Sequence, residues 1–330
     1  MSRLALRTLY VLFVCAVVAL GFGGWLYAEY TRPGPLAQSK AVVIPKGSGP
    51  GEIAGTLAAS GVIRNSELFT IVVRLTGDDR SLRAGEFMFP ARGSIRETVD
   101  ILQTGRTVQR RLTIAEGLTT AEALRVIQAA EGLAGAIEPV PGEGELLPET
   151  YYYSWGDTRN EIVQRMREAM SRTLAELWQG RASGLPIESP ESALVLAAIV
   201  EKETGVPDER PRVAAVFINR LRKGMRLQSD PTVVYAVTEG QTSLGRRLTS
   251  DDLAVTSAYN TYRFAGLPPG PICNPGADAI RAVLNPADTD EFYFVADGTG
   301  GHAFSRTLDE HNRKVRRWRE IRDATETRSR

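Results

Sequence analysis

Apolar residues are spread along this chain in several distinct patterns, and each pattern predicts a different kind of element. From Thr8 to Ala28 (T-L-Y-V-L-F-V-C-A-V-V-A-L-G-F-G-G-W-L-Y-A) no charge interrupts the run, and about 20 such residues suffice to span a bilayer as a helix. A second pattern recurs downstream: an apolar strand, a glycine turn, and a helix entered near a glutamate. Its copies are V-V-I-P-K-G-S-G-P-G-E-I-A-G-T-L (42–57), F-M-F-P-A-R-G-S-I-R-E-T-V-D-I-L (87–102) and L-T-I-A-E-G-L-T-T-A-E-A-L-R-V-I (112–127). Ser94 with Glu97, and Thr119 with Glu122, have capping-box spacing. These glutamates are therefore expected at helix N-termini, where the macrodipole favours them, and not as catalysts. Ile162, Met166, Met170, Leu174 and Leu177/Trp178 repeat at helical spacing and predict a core-facing stripe. Between Ala193 and Val200 every residue is apolar, which predicts a helix buried on all sides. Ser189 as N-cap, Pro190 at the first helical position and Glu191 in the first turn open it, and Gly205 closes it.

Further on, Asp208 can cap a helix through Arg222 with Val213, Val216, Phe217 and Leu221 inward and Gly224 as the stop, leaving Asn219 and Arg220 near its end. The loop M-R-L-Q-S-D-P-T-V-V-Y (225–235) follows. S-A-Y-N-T-Y (257–262) and A-G-L-P-P-G-P-I-C-N-P-G (265–276) suit neither helix nor central strand. Their glycines and prolines predict a rigid wall whose tyrosines and asparagines suit sugars, although ordinary turn chemistry fits equally well. Residues 291–305 read as a hairpin around Asp297 to Gly301, and 307–330 as a charged terminal helix. The repeated strand–helix units are expected to share small sheets in an α+β fold. The expected organisation is a cytoplasmic amino terminus (1–7), a transmembrane helix (8–28), a linker (29–40), a small α/β domain (41–108), a strand–helix connecting subdomain (109–178) and a mixed α+β catalytic domain (179–330). The first two strand–helix copies together resemble a LysM-like module, a fold that binds cell-wall glycan.

Charge and composition narrow the function. Lys+Arg 40 against Asp+Glu 39 gives no reason to expect a nucleic-acid partner. Arg3 and Arg7 precede the apolar run without an acid, which predicts an amino terminus on the cytoplasmic side and the remainder beyond the membrane. Tyr10, Trp25 and Tyr27 near its ends suit the interfaces. A cleaved signal peptide would have a shorter core and a small residue at Leu26, so an uncleaved anchor is expected. Cys15 and Cys273 lie too far apart in kind and place to predict a disulfide. With two histidines (His302 and His311), no cysteine cluster and no G-x-S-x-G, neither a metal site, a cofactor nor Ser-His chemistry is expected.

The candidate chemistry lies at the end of the buried helix, where Glu201 and Glu203 emerge. A carboxyl group leaving an apolar helix loses hydration, which favours its neutral, proton-donating form. At about 100° per residue, Glu201 lies over Leu194, Ala197 and Ala198, and Glu203 over Ile199 and Val200. Small residues beneath Glu201 leave room for a ligand and bulky ones beneath Glu203 suggest packing, which makes Glu201 the candidate acid, although a glutamate near a helix end is more often a solvated surface residue.

The ordered set I-V-E-K-E-T, V-F-I-N-R-L, G-M-R-L-Q-S-D-P-T-V-V-Y, A-Y-N-T-Y, G-L-P-P-G-P-I, N-P-G and Y-F-V-A-D-G-T-G-G-H-A-F resembles the MltG/YceG-like endolytic murein transglycosylases, most densely between Leu194 and Asn312. The resemblance implies a single-pass inner-membrane lyase that cuts nascent peptidoglycan strands near membrane-bound cell-wall synthases and limits their elongation. It implies Glu201 as the catalytic acid. Gln228, Ser229, Asp230, Tyr259, Asn260 and Tyr262 are expected to line the glycan groove, Asn219 to support Glu201, and Glu203 to sit behind the site among charge partners. Two other readings stay open: a hydrolytic muramidase using Asp230, and a non-catalytic peptidoglycan-binding scaffold.

Overall fold

A computed structural model describes residues 3–328, which divide into two compact units. The first comprises residues up to Arg110, with Glu131–Leu133 and Tyr152–Asp157; the second holds the rest. The boundary is discontinuous where the sequence predicts continuous domains.

The first unit begins with helix α1 (Arg3–Thr31), whose Leu6–Thr31 portion is long and apolar enough to cross a membrane. Its side chains Leu9, Val11, Phe13, Val18 and Phe22 are exposed, whereas Leu26 and Tyr30 near its end pack on the unit's core. Strand β1 (Lys40–Ile44), helices α2 (Pro50–Ala59) and α3 (Ser66–Thr76), strand β2 (Gly85–Phe89) and helix α4 (Ile95–Thr104) follow. β1 and β2 pair antiparallel, with Val42 opposite Phe87 and Lys40 opposite Phe89. Strand periodicity turns Val42, Ile44, Phe87 and Phe89 inward, where they meet Ile53 and Leu57 of α2, Phe69 of α3 and Leu102 of α4. The expected Ser94–Glu97 capping box opens α4.

The boundary passes through β3 (Arg110–Thr113) and β4 (Thr150–Tyr153), which form a second two-stranded sheet. The third strand–helix copy is therefore completed by the T-Y-Y-Y segment and not by another copy. Between these strands lies α5 (Thr120–Ala129), with its Thr119–Glu122 capping box formed. Helix α6 (Arg159–Gln179) buries Ile162, Met166 and Met170 as its spacing predicts.

Helix α7 (Pro190–Glu203) is the centre of the second unit: Ala193 and Val195 to Val200 are all buried. The Ser189 hydroxyl accepts from the Ser192 N–H at its start, and the helix ends at Glu203 with Thr204 as cap, one turn-residue short of Gly205. Helix α8 (Arg210–Arg222) buries Val213, Val216 and Phe217 against the same core. A short 3-10 turn over Pro207–Glu209 precedes α8, so Asp208 does not cap it. Helices α9 (Asp230–Thr238), α10 (Ser250–Leu253) and α11 (Ala277–Leu284) complete this layer, and residues 257–276 form no regular element. The hairpin β5 (Tyr293–Ala296) and β6 (His302–Ser305) pairs Phe294 with Phe304, and α12 (Leu308–Arg328) ends the described chain.

Candidate active site

The last turn of α7 sends three consecutive side chains into three surroundings, all within the second unit. Glu201 turns toward α8 and α11. Its Oε1 accepts from Arg210 Nη2 at 3.3 Å and its Oε2 from the Gly276 N–H at 2.9 Å. The ion pair is shielded, with side-chain exposure of 5% for Glu201 and 10% for Arg210. Glu116 also pairs with Arg210 (3.1 Å), and Asp278 approaches it at 3.9 Å. A Cβ at Gly276 would meet the Glu116 carboxylate, so a larger residue there would displace Glu116 from its place beside Arg210. Asn274, two residues earlier, accepts from the Leu146 N–H and donates to Leu118 O and Thr120 Oγ1. The N-P-G sequence thus fastens a loop and presents one N–H to Glu201.

Lys202 donates to the Gly117 carbonyl (3.2 Å) and lines a cavity of about 700 Å³ with Tyr235, Arg246 and Trp318. Glu203 takes the third direction, into a cleft of about 350 Å³ lined also by Phe217, Arg220, Leu227, Gln228, Asp230, Tyr262, Tyr293, Phe294, Leu308 and His311. That volume lies within the ~300–1,000 Å³ range of small-molecule sites. Asp230 borders both cavities.

The Glu203 carboxyl is enclosed by protein, and burial pushes its pKa up to about 7. The Asp230 charge pushes the same way. The Ser229 hydroxyl, donating to Glu203 Oε1 at 2.5 Å, opposes the shift, as do the charges of His302 and Arg220. Burial outweighs all of them. Arg220 is itself buried, donating from Nε to Phe292 O (2.7 Å) and from Nη1 to Leu227 O (2.5 Å), with its guanidinium 5.2 Å over the Tyr293 ring. His302 is clamped by Glu209, which takes its backbone N–H at 2.8 Å and meets Nδ1 at 2.6 Å, and its ring meets Phe294 edge-on.

The sequence-predicted residues divide accordingly. Gln228, Asp230 and Tyr262 line the Glu203 cleft. Gln228 has a left-handed φ of 51°, held by its N–H donating to Thr261 O (3.2 Å) and by the Ser229 N–H donating to Thr261 Oγ1 (3.0 Å). Tyr262 donates to Asp230 Oδ1 at 2.6 Å. Ser229 reaches Glu203 directly. Asn219 does not support Glu201: its Nδ2 donates to Thr289 O and Glu291 O. Asn260, fully buried, donates to Leu253 O and Val255 O and shapes its own loop. Tyr259 packs its ring 4.7 Å from Tyr235 in the core. The two glutamates exchange the surroundings expected of them: Glu201 has both oxygens occupied among charge partners, and Glu203 faces the cleft. Arg220, Tyr293 and His311 were not singled out as site residues; only the fold brings β5 and α12 to this cleft. Among the described residues no cluster of His, Cys, Asp and Glu is arranged to hold a metal ion.

The model of the YceG-like family matches residues 42–317. The endolytic murein transglycosylase of Streptococcus pneumoniae serotype 2 (strain D39 / NCTC 7466) is 28% identical over 354 residues, covering 92% of this chain and 64% of that protein. The Bacillus subtilis (strain 168) protein of the same name is 48% identical over 62 residues, 19% of this chain and 17% of its own. This chain therefore spans under two thirds of the pneumococcal relative. A crystal structure of a putative yceG-like protein from Listeria monocytogenes matches with a TM-score of 0.51 and 31% identity, covering 84% of this chain and 99% of that one.

Proposed function

The chain belongs to the YceG-like family, and from that premise we propose that it is a membrane-anchored peptidoglycan lytic transglycosylase whose acid/base is Glu203. One observation carries the assignment: a carboxyl enclosed deeply enough to titrate at about 7 opens into a cleft with Gln228, Asp230 and Tyr262. At neutral pH such a group is substantially protonated and can donate.

In this reading Glu203 gives its proton to the oxygen joining N-acetylmuramic acid to N-acetylglucosamine, and the bond to muramic C1 breaks through an oxocarbenium-like state. The carboxylate left behind is steadied by the Ser229 hydroxyl. It then takes the proton of the muramic 6-hydroxyl, whose oxygen closes on C1 to leave a 1,6-anhydro end. Protons balance and no water is consumed, so the reaction is a lyase reaction. Cleavage inside nascent strands would limit their elongation. Helix α1, with Arg3 and Arg7 before its apolar stretch, serves as a single-pass anchor in the inner membrane, holding the site outside the cytoplasm and near wall synthases. The β1–α2–α3–β2 arrangement supports reading the first unit as a LysM-like glycan-binding module.

The test compares Glu203→Gln with Glu201→Gln in digests of purified glycan strands, with product masses. Glu203→Gln is expected to slow cleavage by about 10²–10⁴-fold, the usual scale of general acid–base catalysis. Glu201→Gln should retain most activity. The reverse ranking would return the acid to Glu201, wild-type cleavage by both variants would remove both glutamates as the acid, and absence of cleavage by the wild type itself would favour a scaffold. The muramidase reading rests on Asp230, which shares the cleft; products one water heavier than anhydro ends would establish it.

A further inference from the structure

The cleft that holds Glu203 also holds an imidazole for which the reaction above has no use. His311 lies in the first turn of α12, its ring stacked on Tyr293 with centroids 5.2 Å apart. Its Nδ1 is buried and has no hydrogen-bond partner among the described residues. Its Nε2 is not among the buried unpaired atoms and has no hydrogen-bond partner among the described residues, and the residue lines the cleft. Burial, together with the charges of Arg220 on α8 and Lys314 on α12, disfavours the imidazolium.

A neutral imidazole carries one proton, and the surroundings choose the nitrogen. A proton on Nδ1 would bury an N–H with no acceptor, the costlier kind of orphan. A proton on Nε2 leaves only a bare lone pair inside and aims an N–H into the cavity. Asp230, the cleft's other carboxylate, already accepts from Tyr262. The imidazole is thus an uncommitted, uncharged donor in the cleft that also holds the acid, alongside the Gln228 amide. We propose that His311 is a substrate-contacting residue whose Nε2–H donates to an acceptor oxygen of an N-acetylhexosamine bound in the Glu203 cleft. The proposal rests on the glycan-cleaving reading and adds a sugar contact to it. Such a sugar offers two kinds of acceptor oxygen, the acetamido carbonyl and its hydroxyls.

The test uses the full chain in detergent carrying Glu203→Gln, so that strands bind without being cut. His311→Phe keeps a ring against Tyr293 and removes the donor; His311→Gln restores an N–H donor. Affinity for purified glycan strands is expected to fall about 10-fold with His311→Phe, the scale of one lost hydrogen bond, and to recover in large part with His311→Gln. The Tm should stay at the parent's value in both. On de-N-acetylated strands the His311→Phe penalty disappears if the oxygen is the acetamido carbonyl and persists if it is a hydroxyl. Equal affinity of His311→Phe and its parent overturns the proposal, as does a joint loss of affinity and Tm in both variants. Cleavage by the Glu203→Gln parent at the wild-type rate would remove Glu203 as the acid while leaving the affinity comparison standing. Absence of any glycan binding by that parent would remove the substrate reading and the His311 contact together.

Discussion

A carboxyl buried near an arginine and a carboxyl buried near a serine are chemically different groups, and positions 201 and 203 supply one of each. The helical geometry of α7 does place them on different faces, but the residues beneath them on their own helix do not decide which face is which. The deciding groups arrive from Arg210, Gly276, Ser229 and Asp230, none of which α7's own periodicity announces. This is why Glu203 was legible as an acid at a helix end yet not as the cleft residue. Its titration has two measurable consequences. Proton donation requires the neutral form, so cleavage should decline as pH rises through about 7. Stability follows the same sign: the folded pKa of about 7 exceeds the ordinary glutamate value of 4.5, so the protonated folded state is favoured. The contribution is complete below about 4.5 and is lost as pH rises through about 7. Full ionisation costs on the order of 3 kcal/mol. Glu203→Gln escapes that cost, so its Tm should exceed the wild type's at pH 8, with the difference closing by pH 5. Thermal melts at both pH values check this, and a gap independent of pH would contradict it.

Elements whose ends carry local signals were the most legible. Capping boxes at Ser94–Glu97 and Thr119–Glu122 form as the spacing requires, and the apolar run 193–200 becomes the buried helix it predicts. What was not legible is tertiary: β3 pairs with β4, from a segment whose sequence advertises tyrosines more than strand partnership. The end of α7 depends on such a tertiary device. Arg210 gathers Glu201, Glu116 and Asp278, joining α7 to α8 and to the start of α11 two residues before Glu203. Arg210→Met would leave the shielded Glu201 charge without its cation, and breaking a buried pair in this way costs about 3–5 kcal/mol. Glu201→Gln leaves Arg210 with two other acids and should cost about 1–2 kcal/mol, as for a lost hydrogen bond to a charged group. Denaturant melts should rank the two in that order. Equal losses would mean that the cluster does not act as a clamp.

At the scale of the whole chain, the discontinuous boundary was beyond sequence reading because residues 131–133 and 152–157 belong to the first unit through contacts made far from them in sequence. Gly156, for instance, accepts from Lys46 Nζ at 2.8 Å. The apolar start was plain, but where the apolar span ends and the folded unit begins was not, since one helix holds both. Leu9, Phe13 and Phe22 are exposed, a large apolar surface that water does not tolerate, whereas Leu26 and Tyr30 of the same helix belong to the core of Phe69 and Phe87. A truncation should therefore be placed within α1 and not at its end. A chain beginning at Gly24 is expected in the soluble fraction with the Tm of the full protein in detergent. One beginning at Ala37 would also be released but would lack Leu26, Tyr30 and Leu36, all packed on the first unit. Burial of one such side chain is worth roughly 1.5–3 kcal/mol when complete, so this shorter chain should melt several degrees lower. Fractionation with melting curves on both truncations separates the membrane role of α1 from its packing role, and identical melting of the two would show that its last turns contribute nothing to the fold.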